Sequence, residues 1–103
     1  MDAVIETLAE PNRRAILDAL RAGERSAGDF EGLLKISQPG VSRHLRVLRE
    51  AGLVSVRKDA QRRLYRLEAA RLAELDAWLE PYRRFWTGKL DALERHLDKE
   101  FPQ

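Results

Sequence analysis

The sequence predicts a mainly helical domain that carries one small two-stranded β-hairpin. Two patterns lead there: apolar residues recur three and four apart through five separate stretches, and one stretch alone, Val54 to Leu67, alternates at period two. A length of 103 residues fits a single domain, 1–103, and leaves no room for a catalytic lobe. A chain this short buries only about 60 to 70% of its unfolded surface, so a long apolar helix unmatched inside the monomer is expected to find its partner in a second copy.

Val4, Ile5 and Leu8 make a short helical stripe closed at Glu10, because the residue before a proline is pushed out of the helical region. Pro11 opens a second helix through Ile16, Leu17 and Leu20, stopped at Ala22-Gly23. Ser26 with Asp29 three residues on starts a third helix, whose buried side is read as Phe30, Leu33 and Leu34 and whose end falls near Ile36. Ser37 caps a fourth helix, with Gln38 and Pro39 in the tolerant first turn and Val41, Leu45 and Leu48 at i, i+4, i+7 up to about Glu50. After Ala51-Gly52, Val54-Ser55-Val56 alternates, Asp59-Ala60-Gln61 turns the chain, and Arg63, Tyr65 and Leu67 return. Without Asp-Gly or Asn-Gly the turn predicts a longer or mobile tip, and Leu64 falls on the face that the alternation assigns to solvent. From about Ala70 to Phe101 one seam of Leu75, Leu79, Tyr82, Trp86, Leu90, Leu93 and Leu97 passes through Pro81; a single kinked helix is preferred to two separate ones.

Charge separates the chain into two regions. Residues 38–66 hold eight basic side chains against two acidic ones, a net +6, while eleven against fifteen leaves −4 elsewhere. Such segregation is the footprint expected for a phosphate backbone. On the fourth helix, 100° per residue sets Ser42, Arg43, Arg46 and Glu50 opposite the Val41-Leu45-Leu48 stripe. Two helices joined by the tight Ile36-Ser37 turn, the second with a basic outer face, form a helix-turn-helix suited to a major groove. Arg43 and Arg46 are placed to bond guanine edges and Gln38 adenine, with Lys58, Arg62 and Arg63 of the hairpin reaching flanking phosphates as a wing. The full DNA-facing set is Gln38, Pro39, Ser42, Arg43, His44, Arg46, Lys58, Arg62 and Arg63. Within it His44, about 60° off the apolar stripe, is weighed first as a packing residue.

The run QPGVSRHLRVLREAGLV from Gln38 to Val54, with Leu8-Ala9-Glu10-Pro11, Arg13-Arg14 and Ile16-Leu17 upstream and Arg62 to Leu67 downstream, resembles the ArsR (arsenic-repressor) family. The resemblance covers about residues 7–67, the DNA-binding core. It implies a bacterial winged helix-turn-helix regulator in which the positions of Gln38, Ser42 and Arg43 face bases and the wing grips the backbone. It further implies that the terminal helices, residues 1–9 and 70–101, dimerise, and that the repressor regulates its own promoter. The expected dimer interface is Val4, Ile5, Leu8, Leu79, Tyr82, Trp86, Leu90, Leu93 and Leu97. The family's metal sensors carry paired cysteines on the third helix, where this chain has Asp29-Phe30-Glu31-Gly32-Leu33, so the resemblance is to a non-metal branch. His96 with Asp91, Glu94, Asp98 and Glu100 lacks the paired histidines that zinc favours. No metal or other cofactor is expected.

Blander readings compete at several positions. Arg13-Arg14 serve a phosphate or a solvated face with equal weight, and Arg83-Arg84 lean toward solvent. Trp78, Tyr82, Phe85 and Trp86 are read as dimer packing in preference to a pocket for a small organic effector, which the sequence would not identify. Two other readings use the same basic face: a module docking an acidic protein, and an architectural DNA binder without sequence preference. With no cysteine, no nucleophile-histidine-carboxylate set and no glycine-rich phosphate loop, an enzyme is excluded. An acidic start at Met1 to Glu6, and no apolar run near the ~18 residues of a membrane span, lead to the expectation of a cytoplasmic protein.

Overall fold

The computed structural model describes residues 1–101, so the last two positions of the 1–103 domain lie outside it. The elements in order are α1 (Asp2–Leu8), α2 (Pro11–Leu20), β1 (Arg25–Ser26), α3 (Ala27–Leu34), α4 (Gln38–Glu50), β2 (Val54–Asp59), β3 (Arg62–Leu67) and α5 (Leu72–Glu100), the last entered through a 3₁₀ turn at Ala69–Arg71. Helix starts follow local chemistry. The Glu10 carboxylate caps α2 by accepting from the Arg13 N–H at 3.0 Å, the Asp29 carboxylate accepts from the Ser26 N–H at 3.1 Å, and the Ser37 hydroxyl accepts from the Gly40 N–H at 3.3 Å.

One core joins these elements. Phe30, Ile16, Leu45, Leu48, Leu53, Val4 and Val41 are its largest fully buried side chains, with Val54 and Tyr65 brought in by the sheet. The Val41, Leu45 and Leu48 stripe of α4 lies entirely inside it, as the spacing predicts. Two residues depart from their expected places. Leu33 stays 56% exposed, because α3 turns only Phe30 fully into the core. Val4, expected at the dimer interface, is 1% exposed: on the short α1 it faces inward and leaves Ile5 pointing outward.

The hairpin of β2 and β3 forms as expected, and a two-residue strand extends it to a three-stranded antiparallel sheet in the order β1–β3–β2. β1 escapes a sequence reading because two residues carry no periodicity. It also accounts for Leu64, which sits buried in the central strand opposite Ser26 on one side and Arg57 on the other. The tip is tighter than expected. Asp59 pairs with Arg62, leaving only Ala60 and Gln61 to turn, and Ala60 takes a left-handed φ of 58° where glycine is normally required.

α5 is a single helix through Pro81. Its N-terminal part packs on α1 and on the preceding 3₁₀ turn, yet none of its residues is buried. The helix is about 43 Å long at 1.5 Å per residue. It draws the radius of gyration to 18.9 Å, against about 13 Å for a compact domain of this length.

Two backbone positions give opposite expectations. Gly52 holds φ 78°, and a Cβ there would lie 3.1 Å from Nε of Arg71, so Gly52→Ala is expected to cost about 1–2 kcal/mol. Ala60→Gly relieves the strained turn and is expected to gain about 0.5–1 kcal/mol. Urea midpoints moving in opposite directions support both; a loss on Ala60→Gly contradicts the left-handed turn.

Candidate nucleic-acid interface

The alternation of strands and the pitch of α4 bring cations together that are far apart in sequence. Ser37, Pro39, Gly40, Ser42, Arg43, Leu45, Arg46, Arg49, Arg63 and Tyr65 line a groove of about 760 Å³ between α4 and β3. Its lining holds four arginines and no carboxylate. A smaller cleft beside it is lined by Arg49, Val56, Arg57, Lys58 and Arg63, so the two share Arg49 and Arg63 as a common wall. The helix face and the wing therefore form one continuous cationic surface.

Of the residues expected to face DNA, Pro39, Ser42, Arg43, Arg46 and Arg63 lie on the groove, and Lys58 lies on the adjoining cleft. Gln38 is exposed at the first turn of α4 and borders neither. His44 does not belong to this set. It is 8% exposed, its Nδ1 accepts from Nε of Arg13 at 3.3 Å, and Glu10 stands 3.8 Å away. The packing reading is the one observed, and the wheel's 60° offset is enough to turn the ring inward. Arg62 is also set apart: it stands on the far face of the hairpin with Asp59 3.7 Å away.

Arg49 is a groove residue that the sequence reading counted only as bulk charge. The signal was available as an i, i+3 ridge of Arg43, Arg46 and Arg49. Tyr65 gave none, because it reads simply as a core residue of β3. Arg13 and Arg14 resolve toward structure. Their guanidiniums donate to the carbonyls of Thr7, Leu8 and Ala9 and so satisfy the open end of α1.

Three other hairpin contacts shape the electrostatics. Nε of Arg57 donates to Glu24 at 2.7 Å, and this bond holds the Arg57 guanidinium pKa above its ordinary value. The Ser55 hydroxyl donates to Glu68 at 2.7 Å and Arg66 does so at 3.0 Å; the first contact, then the second, pulls the Glu68 carboxyl below the usual range. Among the described residues no three His, Cys, Asp or Glu side chains converge to hold a metal ion. No helix of the described residues is long and apolar enough to cross a membrane.

Comparison with known proteins gives this surface a context. A model of the helix-turn-helix domain matches residues 8–57. The HTH-type transcriptional regulator Rv2034 of Mycobacterium tuberculosis is 38% identical over 99 residues, spanning 96% of this chain and 90% of that protein. The chain belongs to the ArsR family of winged helix-turn-helix transcriptional regulators. The transcriptional repressor SdpR of Bacillus subtilis is 34% identical to this ArsR-family chain over 79 residues, 77% of it and 88% of the relative. An ArsR-like transcriptional regulator from Rhodococcus sp. RHA1 superposes with a TM-score of 0.70 at 28% identity, covering 91% of this chain and 89% of that one. Regulators of the ArsR family are not enzymes, in agreement with the absence of catalytic groups in the sequence.

Gly40 separates the demands of the fold from those of the interface. A Cβ there would meet the Ser37 hydroxyl at 3.4 Å and Ile36 at 3.5 Å, ordinary contacts that the fold accepts. Gly40→Ala is therefore expected to keep or raise stability, by up to about 1 kcal/mol, while weakening DNA binding where the backbone approaches closely. Unchanged affinity would show that DNA does not approach this turn.

Proposed function

We propose that this ArsR-family chain is a DNA-binding repressor acting in the cytoplasm as a homodimer on an inverted-repeat promoter operator. The observation that carries the reading is the groove between α4 and the wing, lined by Arg43, Arg46, Arg49 and Arg63 with no acid among them. Grouping four guanidiniums without a counter-ion is unfavourable unless phosphate or base edges meet them. Arg43 on the outer ridge of α4 is the base reader, and Gln38 at the helix start serves an adenine. Lys58 and Arg63 take flanking phosphates and set the register. Repression fits a dimer that covers a promoter, and it is the activity for which the Bacillus subtilis relative is named.

The second copy is called for by α5. Trp78, Tyr82, Phe85, Trp86, Leu90, Leu93 and Leu97 all stand about half exposed or more along one side of it. Soluble monomers rarely leave so large a contiguous apolar stripe open. Ile5 of α1, also exposed, extends the same interface, while Leu8 and Leu79 sit half-buried at its inner margin. Pairing two copies along this stripe sets two α4 helices about one DNA turn apart.

Anisotropy on the chain's own upstream region, against a scrambled duplex of equal length and with mass determined alongside, tests the proposal. Specific binding by a dimer is expected, and a strictly monomeric species at micromolar concentration overturns the dimer. Arg43→Ala should relax base preference at one position by about 1–3 kcal/mol. Lys58→Ala or Arg63→Ala should weaken all sequences alike and flatten the salt dependence by about one unit of slope. Equal loss of specificity from both classes contradicts this division of roles.

A further inference from the structure

Strand alternation sorts the five cations of the hairpin onto two faces. Lys58 pairs directly with Arg63, on the face that Val56 and Tyr65 turn toward the core. Arg57, Arg62 and Arg66 share the opposite face with Ser55, Asp59 and Leu64. Each of these three outer arginines has its own carboxylate: Glu24 at 2.7 Å, Asp59 at 3.7 Å and Glu68 at 3.0 Å. Among the described residues, neither Lys58 nor Arg63 has a carboxylate within ion-pair distance. The three acids come from different places: the loop after α2, the end of β2, and the segment after β3. Glu24 is the one brought from far away in sequence, 33 residues from its partner.

We propose that Glu24 is a specificity-determining residue, which withholds Arg57 from phosphate and so confines the DNA contact of the wing to Lys58 and Arg63. The inference rests on the DNA-binding reading above. A guanidinium already bonded to a carboxylate releases no counter-ion on meeting phosphate unless its pair breaks, so it adds nothing to the sequence-independent, salt-sensitive part of binding. That part is what a regulator must keep low, because competing sites in a genome outnumber an operator by about 10⁶ or more. Arg57 is the arginine for which the restraint matters. It alone of the three outer arginines also lines the cleft with Arg49, Lys58 and Arg63, beside the cations that hold the backbone. Arg62 and Arg66 line neither the groove nor the cleft.

The test is anisotropy of the full-length protein on a random-sequence duplex and on its operator, between about 50 and 200 mM salt. Glu24→Gln is expected to bind random DNA more tightly, to steepen the log-log salt slope by about 0.9 per protomer, and to lower the operator-to-random ratio. Glu24→Gln with Arg57→Gln, which restores the wild-type net charge without the pair, is expected to return to the wild-type slope. Circular dichroism of both variants confirms that each is folded. An unchanged slope in Glu24→Gln overturns the inference, as does a slope that stays steep in the double variant, which would show that Glu24 acts on binding otherwise than through Arg57. Wild-type protein that binds no duplex at any salt overturns the DNA-binding reading itself, and this inference with it.

Discussion

Everything functional in this molecule depends on α4 burying Val41, Leu45 and Leu48 together. All three are at most 1% exposed, held among Ile16, Phe30 and Leu53. A helix fixed by three apolar residues over two turns has no freedom to rotate. The ridge of Arg43, Arg46 and Arg49 is therefore turned outward by what lies beneath it. Each buried leucine contributes about 1.5–3 kcal/mol, far more than the exposed arginines lose by standing near one another through water. Hydrophobic burial on one side of the helix thus positions charge on the other, and binding groups gain a rigid mount without contributing to the fold.

The wing is registered against that mount by the same core. Leu53 and Val54 follow directly after Gly52, whose left-handed backbone turns the chain, and the Glu68 N–H closes the hairpin by donating to the Leu53 carbonyl at 2.8 Å. Tyr65 links the two halves, being both a member of the core cluster and a wall of the groove. The period of two does the rest. Once Val54, Val56 and Tyr65 face the core, Lys58 and Arg63 must emerge on the groove side of the tip, and Arg57, Arg62 and Arg66 must emerge on the other. A one-residue slip would exchange these sets and carry the core residues outward with them, so hydrophobic and electrostatic patterns enforce one register.

This explains which parts of the fold could be read from the sequence. The helices, the hairpin and the basic face of α4 follow from periods of 3.6 and 2, which local composition carries over many residues. β1 could not be read, since its existence depends on β3 arriving beside it from some forty positions further along the chain. Ala60 at a left-handed φ defies local preference and is held there by the paired strands on either side of it. Val4 and Ile5 are adjacent and both apolar, so only the angle at which α1 docks decides which is core and which is exposed. The wheel already turned His44 toward the core, whereas the pairing of Arg62 with Asp59 depends on the tight turn that brings the two together, which a charge count does not show. Patterns revealed the surface, and contacts decided which of its charges are free.

α5 poses the remaining physical problem, because Pro81 removes a backbone donor from the middle of a helix. The helix nonetheless continues, and Arg83 lies across the break. One nitrogen of its guanidinium donates to the Asp76 carbonyl at 3.2 Å and to Glu80 at 2.6 Å, while the other meets the Asp76 carboxylate. These contacts hold the Arg83 pKa above its ordinary value, the Asp76 bond first and Glu80 second. Exposed ion pairs are individually weak, yet three bonds to one rigid planar group brace both sides of the proline at once. In the homodimer proposed here the seam of Tyr82, Trp86, Leu90, Leu93 and Leu97 lies beyond that point, whereas the ion pair of Glu74 with the Met1 ammonium beside α1, at 3.3 Å, lies before it. In that proposed dimer the direction in which α5 leaves Pro81 would set how far the second copy stands from the first, and with it the spacing of the two α4 helices. A proline that in an isolated helix would only cost stability would become, with its arginine brace, a determinant of the half-site spacing in the proposed dimer.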